Sequence, residues 1–110
     1  MAFTAYHNIT GSTGVDVELI APSENVGTIK SIMVTNTHAT ADATVTLFIE
    51  DDPTAAAASI FKILSTVAIP SDTSLLLDNS SVLSFDNSSN GYGLYLTVGS
   101  SDTLDVMINR

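Results

Sequence analysis

"IKSIMVTNTHATADATVTLFIEDD", Ile29 to Asp52, holds two runs in which apolar residues alternate with hydroxyl or small polar ones, joined by the link "THATAD". Alternation of period two sends successive side chains to opposite faces of a sheet, so the stretch reads as two strands of a hairpin, near Thr28 to Asn36 and Ala43 to Glu50. In that reading Ile32 and Val34 share an inward face with Val45, Leu47 and Ile49. Met33 and Phe48 point the other way.

The same period recurs along the chain, near Phe3 to Ile9, Val15 to Ile20, Ile60 to Ile69, Ser74 to Leu77, Tyr92 to Val98 and Leu104 to Asn109. Between these runs stand "TGSTG", "APSENVG", "IPSDTS", "DNSS", "DNSSNGYG" and "GSSD", rich in residues that accept positive φ or bond their own backbone. The pattern predicts an all-β chain, an antiparallel β-sandwich or jelly roll of about eight strands. One link differs: "DDPTAAAAS" offers Asp52 as an N-cap and Pro53 at a first helical position, so it suits either a single helical turn or an Ala-rich crossover.

At 110 residues the chain is expected to form one domain, residues 1–110, with one core. Three basic against twelve acidic side chains give a formal charge of −9, which repels phosphate backbones and argues against nucleic-acid binding. No apolar run approaches the roughly 20 residues of a membrane-spanning helix. "MAFTAYHNIT" lacks the basic start and apolar middle of a secretory signal, so the expectation is a soluble product of a cytoplasm. Cysteine is absent, which removes disulfides and thiol chemistry. Charged residues are only 14% while apolar ones reach 45%, an imbalance that points to apolar surface held against another protein.

A nucleophile needs a base within reach, and the only histidines are His7, near the first strand, and His38, in a turn. No nucleophile elbow, phosphate-binding loop or zinc-helix motif is present. Glu50, Asp51 and Asp52 are adjacent rather than opposed, the wrong arrangement for the carboxyl pair of a glycosidase. Calcium could draw on that run, or on Asp86, Asn87 and Asn90, but the helix–loop–helix spacing is missing. A sugar platform would have to come from Tyr6, Tyr92 or Tyr95, with Tyr92 placed by alternation at the edge of the core. The expectation is therefore no enzyme, no catalytic residue, no cofactor and no metal.

Strand alternation leaves one large apolar residue on the outer side of nearly every long strand: Met33, Phe48, Leu64, Tyr95 and Met107, provided no bulge shifts the register. These five are the candidate interface. Acidic residues at turns and strand ends, among them Glu24, Asp42, Glu50, Asp72, Asp78 and Asp102, would form its polar rim.

The pattern "IxSIxVTNT…ATVTLxI", here Ile29 to Ile49, followed by "IP…TSLxLD", here Ile69 to Asp78, resembles small virion structural proteins of tailed bacteriophages. The resemblance covers the last three-quarters of the chain. Where the usual motif carries glycine this chain has Pro70-Ser71-Asp72. It implies a virion protein assembled in the host cytoplasm, a capsid decoration (cement) protein first and a tail, neck or fibre component second. It also implies a homo-oligomer, with a trimer favoured, docked on the major capsid protein or another virion protein. Outside that class the alternative is a carbohydrate- or calcium-binding sandwich module.

Overall fold

The computed structural model describes residues 4–11, 16–26, 28–51, 59–88, 91–99 and 102–110. Its elements are β1 (Thr4–Thr10), β2 (Val17–Ile20), β3 (Ser31–Asn36), β4 (Ala43–Glu50), β5 (Ile60–Ile69), β6 (Ser74–Leu77), α1 (Ser80–Leu83), β7 (Gly93–Val98) and β8 (Thr103–Asn109). The strands form two four-stranded sheets, ordered β1-β8-β3-β6 and β2-β7-β4-β5. All six pairings are antiparallel.

β1 pairs with β8, β2 with β7, β3 with β6 and β4 with β5. The chain is thus one long ribbon doubled back between β4 and β5 and rolled until alternate pairs fall in opposite sheets, which is a jelly roll.

That winding corrects the pairing expected for Ile29 to Asp52. β3 and β4 are not hydrogen-bonded partners; they lie in different sheets, and the link between them crosses the sandwich. The inward set is nonetheless the one expected, because an arch between facing sheets and a hairpin within one sheet leave the same alternate residues apolar. Ile32, Val34, Val45 and Leu47 are fully buried and face one another across the core with Leu94, Leu96, Val106 and Ile108.

Asn36 holds the crossing. It is wholly buried, its amide Nδ2 donates to the Ala41 and Ile69 carbonyls at 2.9 and 3.0 Å, and its Oδ1 accepts the His38 N–H at 3.0 Å. Every polar atom of the side chain is used to tie the arch to the end of β5. Asn87 does the same at the other end of β3. Its Nδ2 donates to the Ala21 and Tyr92 carbonyls at 2.9 and 2.7 Å and its Oδ1 accepts Val26 N–H at 3.2 Å, joining the β2–β3 link to the approach to β7.

"DNSS", expected as a turn, opens the short α1: Asn79 caps it by accepting the Ser81 N–H at 3.0 Å, and Leu83 enters the core. The turn residues behave as their chemistry predicts at Asn25 and Asp72, whose φ values are 54° and 52°. The alternative helical turn at Asp52 and Pro53 lies outside the described residues.

Candidate interaction surface

β5 departs from simple alternation. Its register against β4 shifts between Val45 and Leu47 and again between Leu47 and Phe48. At the first shift Thr66 takes φ 53°, a left-handed conformation that strains a β-branched residue, and its N–H is held by the Thr46 hydroxyl at 3.0 Å. The extra residues turn Leu64 to face Leu47, so Leu64 packs against the core instead of standing outside the sheet. The register proviso on Leu64 therefore fails.

Phe48 and Tyr95 do sit on the outer side of their sheet, opposite each other in register, but they are only 5% and 3% exposed. Their rings stack with centroids 5.8 Å apart, and the Tyr95 hydroxyl donates to Glu18 Oε2 at 3.3 Å. They form a small second cluster and leave little of their surface for a partner. Glu50, assigned to the polar rim, is likewise buried.

Met33 and Met107 remain at the surface on the outer face of the β1-β8-β3-β6 sheet, while Leu64 stays half-buried, and the structure shows what the two methionines belong to. Tyr6 stands opposite Met107, Met107 opposite Met33, and Met33 opposite Leu76, so a row of four large apolar side chains crosses all four strands of the β1-β8-β3-β6 sheet. Tyr6 and Leu76, at its two ends, are 72% and 55% exposed. The next row, Asn8, Asp105, Thr35 and Ser74, is polar. It is closed on itself by hydrogen bonds from Asn8 Nδ2 to Asp105 at 2.7 Å and between the Thr35 and Ser74 hydroxyls at 2.8 Å.

At Leu76 the apolar row reaches the edge of its sheet and meets a groove of about 540 Å³. Ile63 and Leu64 of β5 form one wall, and Leu76, Leu77 and Val82 form the other. Lys62 and Asp78 also line it. Ile60 and Phe61, at the start of β5, are 50% and 58% exposed, with the Phe61 ring edge-on to Tyr92 at 5.8 Å. Sequence reasoning missed Ile60, Phe61, Leu76 and Val82 as surface residues. "SLLLDNSSVL" carries the signal, since five large aliphatics in ten residues exceed what one short edge strand can turn inward.

The polar candidates are engaged with the chain itself. His38 Nδ1 accepts the N–H groups of Thr40 and Ala41 at 3.1 and 3.0 Å, so that nitrogen cannot serve as a base for the Thr40 hydroxyl 3.5 Å away. His7 lies in β1 opposite Val106. Asp51 closes the β4–β5 link by accepting the Ser59 N–H at 2.8 Å. Among the described residues no group of three His, Cys, Asp or Glu is gathered as a metal site.

Asp86, one of the oxygen donors that calcium could have drawn on, accepts the Ser88 N–H at 3.0 Å, and hydrogen bonds from the Ser88 side chain and then its backbone hold the Asp86 carboxyl below the usual carboxylate range. A depressed folded value means that the turn is tightened above the ordinary value and loosened as pH falls through the lower one. The Ser88 amide resonance is therefore expected to titrate with a midpoint below that of a free aspartate; a midpoint at the ordinary value would show that the bond does not persist in solution.

Comparison of the chain with protein-family models, with curated proteins and with solved structures finds no match.

Proposed function

We propose that the chain is a non-enzymatic structural protein of a tailed-bacteriophage virion, an oligomer that decorates the head shell by burying apolar surface against it. The observation that carries this reading is the row Tyr6–Met107–Met33–Leu76, an uncharged stripe across an otherwise polar sheet face. Clustered exposed apolars rimmed by polar groups mark protein contact surfaces. The jelly roll supports the reading without selecting it, since the fold serves viral shells and lectins alike. Against the lectin alternative, Tyr95 is buried and Tyr92 packs on Phe61, which leaves Tyr6 as the one fully open tyrosine.

The test is to band particles from a phage lysate containing the tagged chain in a density gradient and to label them for imaging. The chain should travel with the heads. Met107→Asp, at a half-open position, should keep its melting transition while lowering occupancy about tenfold or more, as loss of a central apolar contact does. A chain that stays among soluble proteins, or that is retained on a glycan resin, would overturn the proposal; recovery on tails would move it to the second virion location.

A further inference from the structure

β5 and β6 are outermost strands of different sheets, and both border the 540 Å³ groove. Natural edge strands are blunted by charge, shortness or bulges. β6 is short and β5 is bulged, yet the two strands together carry one charge, Lys62. Four of the six large apolar side chains that stand exposed among the described residues, Ile60, Phe61, Leu76 and Val82, belong to β5, β6 and α1.

We infer that this groove is covered by the same groove of a second copy, related by a two-fold axis, with Lys62 of each copy against Asp78 of the other. The inference rests on the oligomeric part of the function proposed above and names the partner. Charge selects the occupant. A second copy carries the same −9, so the long-range field opposes pairing and the selection is made inside the groove, where a partner charged with a single sign would leave either Lys62 or Asp78 unmatched. Lys62 and Asp78 balance each other in the groove, and neither has an ion-pair partner among the described residues.

A two-fold operation places each opposite its complement, giving two equivalent pairs from one surface, as an isologous contact requires. The shape agrees. Val82 is 66% exposed on the groove wall, so each copy presents both the projecting residue and the hollow that receives it. Of the four exposed side chains, Leu76 and Val82 line the groove, which therefore offers well under the roughly 800 Å² per partner of a standard stable interface, so the pair should be reversible.

Sedimentation velocity of the purified full-length chain over a concentration series tests this. A monomer–dimer equilibrium is expected. Val82→Asp should weaken it about tenfold or more, and Lys62→Asp and Asp78→Lys should each weaken it several-fold. The double charge exchange, Lys62→Asp with Asp78→Lys, should return the dissociation constant to within about twofold of the parent, a rescue that a folding defect would not give. Monomer throughout, a trimer, a dimer indifferent to Val82→Asp, or a double exchange without rescue would each overturn the inference. A monomer that still bands with heads would remove this contact and the oligomeric part of the proposed function and leave head decoration standing; a dimer that does not band with heads would do the reverse.

Discussion

Asn36→Asp should cost about 3 kcal/mol of folding stability at neutral pH, although it exchanges one nitrogen for one oxygen. The exchanged atom faces the Ala41 and Ile69 carbonyls at 2.9 and 3.0 Å in a site with no solvent exposure. An ionised aspartate would set a charge against two acceptors. A protonated one could donate to only one of them and would leave the other buried and unsatisfied. Protonation in the folded state is thereby favoured, so the deficit relative to the parent should shrink in acid and grow as pH rises through the variant's raised folded pKa. Asn36→Ala should lose a similar amount with no such pH dependence. Urea unfolding of the three proteins across a pH series reads both effects. An Asn36→Asp variant within about 0.5 kcal/mol of the parent would show that the crossing does not depend on this side chain.

Leu96→Ala should cost about 3 to 4 kcal/mol, the range for a large aliphatic removed from a core that cannot collapse around the void. Leu96 is wholly buried in β7, with Leu47 of β4 on one side and Val17 of β2 on the other. Both neighbours are held by sheet hydrogen bonds and cannot move in to fill the space. Thermal unfolding should fall by roughly 12 °C or more. Leu76→Ala is the control: the same atoms are deleted from a side chain 55% exposed at the sheet edge, where the loss of stability should stay under about 1 kcal/mol. Equal losses at the two positions would mean that the inward and outward faces of the sandwich had been misassigned.

The contrast between Leu96 and Leu76 also marks how far the fold was legible. Ala43–Glu50, Ile60–Ile69 and Ser74–Leu77 are strands with the bounds that alternation and flanking turn residues predict. The inward residues followed, because the period of two decides face without regard to partner. Partner choice did not follow. "NTHATAD" reads as a hairpin link, and what makes it an arch is Asn36 reaching Ile69, a residue 33 positions away. Leu64 was misplaced for a related reason. Nothing in "FKILSTVAI" announces that Thr66 will accept a left-handed backbone, since that strain is tolerated only once β4 supplies the Thr46 hydroxyl. Phe48 and Tyr95 look like exposed aromatics one at a time, and register alone makes them neighbours able to cover each other. Of the interaction surface, Met33 and Met107 were visible in advance, and so was Leu64, though it lies on the groove wall and not on the outer sheet face; the row the methionines join needed the pairing of four strands.

That pairing also sets a clock. β1 lies beside β8, with Thr4 opposite Asn109, so β1 leaves the ribosome ahead of the other described strands and takes its sheet neighbour from the one described strand that follows all the rest. At typical synthesis rates of about 5–20 residues per second, β1 waits several seconds or more without a sheet neighbour. β3 waits as well, since β8 is inserted between it and β1. A nascent chain halted short of residue 103 is therefore not a smaller jelly roll but a sheet lacking an inner strand, with two raw edges facing each other, and residues 103–109 decide whether residues 4–10 have a place to go.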